Sequence, residues 1–198
     1  LRLGWSYGDK EYFSKDEMIE YFDVKNIHKS PARLDHKKLL SINSYYLNTE
    51  SDDAIIELIS QSKGVGIPIE NQEKIKLILE HLKTKSKTLN ELIELIEYLL
   101  VDCPPIIDSD MMELLNSEKI KLLDFFYRDL SSIKDWTIQE ITYLFEKFTN
   151  DQNIKLIDIA KPLRIVLTGR IVPTGIYELI YALGKEETLK RVSQYLFK

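Results

Sequence analysis

Several residue types that brace small proteins or perform chemistry are scarce in this chain of 198 residues. One cysteine, Cys103, excludes an internal disulfide, and the two prolines after it, with no histidine close by, argue against a nucleophile. The three histidines, His28, His36 and His81, lack metal-ligand spacing with each other or with carboxylates. We therefore expect no metal site.

Long apolar runs are missing too. No run approaches the roughly 20 residues that span a bilayer, so we expect no membrane association. The chain starts at Leu1 without a methionine, a basic segment or an apolar signal segment, which predicts a piece cut from a longer, cytoplasmic protein. With 44% apolar residues, 30% charged residues, seven glycines and six prolines, the composition is typical of a helix-rich globular protein.

The motifs that assemble active sites are absent from the sequence. There is no glycine-rich phosphate loop, no Ser/His/Asp grouping and no Cys-x-x-Cys or His-x-Glu spacing. We predict no catalytic residue and no cofactor within this chain, which leaves recognition as its chemistry.

What the sequence does have is a series of helix starts. Ser14, Thr88 and Thr137 each stand three residues before a glutamate, the capping-box pattern, and Asp35 is a further N-cap. Apolar residues then recur at helical spacing, as Met18, Ile19 and Phe22 do after Ser14, while alternating strand patterns are nearly absent. Other predicted helix starts are Asp52 or Asp53 and Asn71. The pattern predicts an all-α protein of short helices packed in two or three bundles.

The net charge of −5 hides an uneven distribution. Residues 25–38 and 74–87 each hold five basic residues against one acid, whereas residues 91–113 hold seven acids and no lysine or arginine. A protein that binds a polyanion on one face shows such asymmetry. Solvated helix faces with chance clustering are the alternative.

Two segments combine cations with exposed backbone. In 162–176, Thr168-Gly169 and Thr174-Gly175 interrupt an apolar helix, and Arg164 and Arg170 are spaced so that both could face one partner. In 83–88, three lysines alternate with hydroxyl residues before a capped helix, where free amides favour anions. A phosphate cradle and a solvated turn both fit this second segment.

Two separated blocks of residues carry a family resemblance. The first comprises Leu3-Gly4-Trp5-Ser6, Gly8-Asp9, Glu11, Phe13-Ser14, Phe22-Asp23, Lys29-Ser30-Pro31-Ala32-Arg33, Asp35, Lys38-Leu39 and Asn43. The second comprises Pro162-Leu163-Arg164, Leu167-Thr168-Gly169, Gly175 and Leu183-Gly184-Lys185-Glu186. In this order they resemble bacterial glutamyl-tRNA synthetase, after its ATP-site lysine loop and at its carboxyl end.

The resemblance implies the tRNA-binding part of a class I synthetase, of the helical-cage anticodon-binding type. The parent enzyme would attach glutamate to tRNA(Glu) with ATP and Mg²⁺, whereas this chain would lack the catalytic domain and be inactive alone. Its implied regions are a stem-contact region, 1–50, and two anticodon-binding subdomains, 51–132 and 133–198, with polar breaks near both boundaries. We expect a monomer that binds no DNA. A helical protein-interaction module without RNA binding remains an alternative.

The family's tRNA contacts map onto named positions of this sequence. The predicted tRNA-binding residues are Ser30, Arg33, Lys37, Lys38, Lys83, Lys85, Arg164, Thr168, Arg170, Pro173, Thr174, Gly175 and Ile176. The family turn that touches anticodon bases reads Thr-Pro-Gly, and here it reads Pro-Thr-Gly. In some members an arginine reads the third anticodon base where this chain has Lys83 or Lys85. Because lysine is a point charge rather than a planar fork, a relaxed choice that includes tRNA(Gln) is possible.

Overall fold

The computed structural model describes residues 4–28, 35–64, 66–100 and 109–196. These residues contain eleven α-helices, two 3₁₀ turns and no β-strand, so the all-α prediction is confirmed. The α-helices are α1 Lys15–Tyr21, α2 His36–Thr49, α3 Asp52–Lys63, α4 Ile69–Lys85, α5 Leu89–Ile96, α6 Ser109–Glu113, α7 Ser117–Ser132, α8 Ile138–Gln152, α9 Leu156–Thr168, α10 Ile176–Leu183 and α11 Lys185–Leu196. The 3₁₀ turns are Val24–Asn26 and Glu97–Leu99.

Local capping chemistry starts most of these helices. Ser14 and Glu17 form the complete reciprocal capping box, and Asp35 accepts from two amides of the first turn of α2. The Thr88 hydroxyl accepts from the amide of Glu91, while the Glu91 carboxylate accepts from the amide of Lys87, one residue before the cap. Helix α3 begins at Asp52, as predicted, with Ser51 as its cap. The predicted start of α4 at Asn71 is wrong by two residues, since the helix begins at Ile69.

One continuous core runs through most of the described chain. Its buried residues extend from Leu47 to Val192. Helix α10 packs against α4 and α8, and α7 packs against α9 and α11. The division predicted at residue 132 stays a prediction, since helices on both sides of it share this core.

The amino-terminal segment has its own aromatic cluster. Trp5 is buried, with its ring 5.8 Å from that of Phe13 and 5.9 Å from that of Phe22. The Tyr46 hydroxyl on α2 donates to the Phe13 carbonyl at 2.6 Å and lies 3.1 Å from the Phe13 amide. The apolar stripe expected on α1 is largely exposed, since Ile19 is 70% exposed.

Candidate nucleic-acid interface

The connection between α9 and α10 is a turn followed by a short loop. Helix α9 ends at Gly169, whose φ of 76° lies in the left-handed region that favours glycine. The Thr168 hydroxyl is buried and lies 2.9 Å from the Arg164 carbonyl and 2.7 Å from the Arg170 carbonyl. One of these carbonyls belongs to α9 and the other to the residue after Gly169, so the hydroxyl links the end of the helix to the turn. Thr168 is therefore a structural residue of the turn, and its hydroxyl does not face solvent.

The loop of residues 170–175, called loop 170–175 below, alternates between solvent and core. Ile171 and Pro173 are exposed, whereas Val172 and Thr174 are buried. Ile176, the first residue of α10, is buried as well. Of the predicted contacts Pro173, Thr174 and Ile176, the structure offers Pro173 to a ligand and turns the side chains of the other two inward.

Arg164 reaches this loop from inside the bundle. Its Nε and Nη2 atoms lie 3.3 and 3.2 Å from the Thr174 carbonyl oxygen, and both donate to it. Burial lowers the pKa of the Arg164 guanidinium, and the charge of Glu178 acts in the opposite direction. The guanidinium stays protonated in any case. Its two hydrogen bonds to the Thr174 carbonyl direct it toward loop 170–175.

The Arg170 side chain binds α5 instead of the loop. Its Nη2 donates to the Glu94 carbonyl on α5, and the same atom lies 3.8 Å from a carboxylate oxygen of Glu97. The expectation that Arg164 and Arg170 face one outside partner stays a prediction, and in this structure each guanidinium donates to a main-chain carbonyl of the protein itself.

Helix α4 brings a second predicted segment to the same place. His81 Nε2 lies 3.1 Å from the Pro173 carbonyl, so the imidazole donates across from α4 to loop 170–175. Lys85 stands one helical turn further along the same face and is exposed, with no hydrogen-bond or ion-pair partner among the described residues. An exposed cation and the exposed loop residues therefore share one surface, called the α4–loop surface below.

Lys83, two residues before Lys85 on α4, points away from the α4–loop surface. Lys83 is buried, and its Nζ donates to the Glu50 carbonyl and to Asp52 Oδ1, both at 2.7 Å. In this conformation Lys83 joins α4 to the start of α3 and is not accessible to a ligand, so its predicted RNA contact stays a prediction. A spacing of two residues on a helix separates Lys83 from Lys85 by about 200°.

Only some of the predicted stem-contact residues belong to the part of the chain that the structure describes. Ser30 and Arg33 lie outside the described residues. Lys37 is exposed in the first turn of α2, and Lys38 pairs with Glu11 at 2.6 Å. Asn43 on α2 donates to the Lys87 carbonyl at 2.5 Å, which connects α2 to the chain just beyond the α4–loop surface.

Sequence reasoning missed one residue that supports this region, Arg191. It is 1% exposed, and its guanidinium donates to the Leu167 carbonyl at 2.7 Å, to the Tyr98 carbonyl at 2.9 Å and to Glu187 at 2.7 Å. It thereby joins α11 to the end of α9 and to the 3₁₀ turn after α5. The sequence gives little signal for it, because Thr188, which precedes it by three residues on the same face of α11, is polar and its burial is visible only in the structure.

The described ranges hold neither a metal-binding cluster nor a membrane-spanning helix. Within them, no three His, Cys, Asp or Glu side chains are grouped closely enough to hold a metal ion. Over the same ranges, every helix is too short or too polar to cross a membrane.

The described residues form an all-α fold with an exposed loop beside the lysine-bearing end of α4, and sequence comparison defines the class. Residues 47–196 match the model of the anticodon binding domain family, and the chain belongs to that family.

Two relatives place the chain more narrowly. It is similar to "Glutamate--tRNA ligase 2" of Parvibaculum lavamentivorans, with 35% identity over 196 residues that cover 97% of this chain and 40% of the relative. The protein of the same name from Brucella ovis is 33% identical over 205 residues, which cover 99% of this chain and 43% of the relative. The chain thus spans about two-fifths of the length of the curated relatives it matches, corresponding to their carboxyl-terminal region.

Solved structures agree on the fold. A glutamate tRNA ligase from Elizabethkingia meningosepticum, in complex with its amino acid, superposes with a TM-score of 0.79 at 25% identity, over 98% of this chain and 39% of that one. The glutamate-tRNA synthetase of Elizabethkingia anophelis gives a TM-score of 0.76 at 24% identity, over 99% of this chain and 39% of the other.

Proposed function

We propose that this chain is the anticodon-recognising part of a glutamate–tRNA ligase and that its ligand is tRNA(Glu). The observation that carries the proposal is the family match over residues 47–196. The α4–loop surface supports it, since Lys85 supplies charge for the RNA backbone while exposed Ile171 and Pro173 offer apolar surface for unstacked bases.

The longer protein would attach glutamate to tRNA with ATP and Mg²⁺ in the cytoplasm. We assign no residue of this chain to ATP, to Mg²⁺ or to the transfer reaction. The role of the chain is to hold the anticodon loop while the acceptor end reacts elsewhere, so we expect it to act as a monomer with one RNA site. A choice that extends to tRNA(Gln) is consistent with lysine at position 85, because an ammonium lacks the planar fork of arginine.

The test is a titration of the 198-residue chain with fluorescently labelled transcripts, followed by anisotropy over a series of salt concentrations. Four transcripts serve: tRNA(Glu), tRNA(Gln), an unrelated tRNA, and that unrelated tRNA carrying the glutamate anticodon loop. We expect tRNA(Glu) to bind more tightly than the unrelated tRNA, and the transplanted loop to restore part of the difference. Equal binding of tRNA(Glu) and the unrelated tRNA at every salt concentration would refute the proposal.

A further inference from the structure

We propose that Arg164 is a positioning residue for RNA recognition: it fixes loop 170–175 through the Thr174 carbonyl and so controls anticodon preference without touching an RNA phosphate. This inference rests on the proposed function. It differs from the role that the sequence predicts for Arg164, which is direct contact with the RNA.

The geometry of the loop shows how such control would work. Two successive carbonyls are held from two directions, that of Pro173 by His81 of α4 and that of Thr174 by Arg164 of α9. The Thr174 side chain is fully buried. With the peptide groups on both sides of Thr174 fixed, the exposed Pro173 ring has one orientation relative to α4 and to Lys85.

A carboxylate near Arg164 acts against its attraction for a polyanion. Its guanidinium is half-buried, and the Glu178 carboxylate on the first turn of α10 acts on it electrostatically. That carboxylate lies directly against Gly175, where even an added methyl group would overlap it. A phosphate that approached Arg164 would therefore meet a neighbouring anion, whereas one that approached Lys85 would meet an exposed cation. A nearby opposite charge reduces the field that attracts a polyanion.

The other two arginines of the region follow the same pattern. Arg170 donates to the Glu94 carbonyl and Arg191 to the carbonyls of Leu167 and Tyr98. Each of these guanidinium groups links the α9–α10 connection to another element through main-chain oxygens. The arginines build the frame around the loop, and the exposed lysine supplies the charge.

The experiment compares wild type with Arg164→Met, Arg164→Lys and, as the matched control, Lys85→Met. For each protein the affinities for tRNA(Glu) and for a transcript with a changed third anticodon base are measured over a salt series, which gives the anticodon preference and the salt slope. For Arg164→Met we expect the preference to fall by about tenfold, the size of one well-placed base contact, at an unchanged slope. Arg164→Lys keeps one donor group and restores part of the preference. Lys85→Met lowers the slope by about 0.7–0.9.

Several results would overturn the inference. One is a slope reduced by about 0.7–0.9 in Arg164→Met with its preference intact, which identifies a phosphate contact. Another is wild-type behaviour of that variant in both measurements. Urea unfolding establishes that each variant is folded; if Arg164→Met is not, Arg164→Lys decides, since a wild-type preference there contradicts the proposal. Equal binding of tRNA(Glu) and the unrelated tRNA by the wild type instead refutes the proposed function, so the two failures are distinguishable.

Discussion

Replacing Arg191 by methionine tests whether a buried guanidinium holds the helical cage together. Methionine matches the length of the aliphatic stem and removes the donors, so the carbonyls of Leu167 and Tyr98 are left buried without partners. Each orphaned carbonyl costs about 1–2 kcal/mol, and loss of the charged bond to Glu187, which is 24% exposed, adds about 1 kcal/mol. We expect the free energy of unfolding to fall by about 3–5 kcal/mol.

The assay is urea unfolding followed by far-UV circular dichroism. With a denaturant slope of about 2–3 kcal/mol/M, the midpoint should drop by about 1–2 M at an unchanged slope. The matched control is Lys190→Met on the same helix: this lysine pairs with the same Glu187 at 3.2 Å but is 50% exposed, so the loss should stay below about 1 kcal/mol. A loss below about 1 kcal/mol in Arg191→Met, or equal losses in both variants, would refute the reasoning.

Two further substitutions separate structural residues from RNA contacts. Lys83→Met should lower the free energy of unfolding by about 1–3 kcal/mol, because the Glu50 carbonyl and Asp52 lose a buried donor; the salt slope of tRNA binding should not change, and a reduced slope would show that Lys83 does reach the RNA. Thr168→Val keeps the shape and removes the hydroxyl that closes the α9 turn, so urea unfolding should show a loss of about 1 kcal/mol, and an unchanged midpoint would contradict that role.

The sequence predicted those parts of the fold that depend on near neighbours. The Ser14 box, the Asp35 cap and the left-handed Gly169 each involve atoms within four residues, so the residue types alone define them. The same local patterns also predicted the all-α fold class. The start of α4 was misjudged because Pro68 precedes a polar first turn, and proline before a helix leaves no side-chain capping bond to recognise.

The candidate site was predicted in outline and misjudged in orientation. Lys83 and Lys85 look equivalent in the sequence, yet Lys83 meets a carbonyl 33 residues away and Lys85 meets solvent. Likewise Arg164 is occupied by a carbonyl ten residues later, beyond the next turn. Whether a long basic side chain points inward depends on partners that are distant in the sequence. The spacing of residues along one helix carries no information about those partners. The connection from His81 to Pro173 spans 92 residues and was equally invisible.

Arg191 is synthesised after both of the carbonyls that it binds, so the hydrogen bonds that it makes can form only late in translation of this domain. Its acceptors are made well before it, Leu167 by 24 residues and Tyr98 by 93. At about 5–20 residues per second, the Tyr98 carbonyl waits roughly 5–20 s for its donor. Loop 170–175 is synthesised during that interval. The clamp, which is the Arg191 guanidinium bound to the Leu167 and Tyr98 carbonyls, is still missing, so nothing yet ties α9 to the turn after α5 through it. The connection between α9 and the turn after α5 therefore gains this clamp only after every residue of the α4–loop surface has been synthesised.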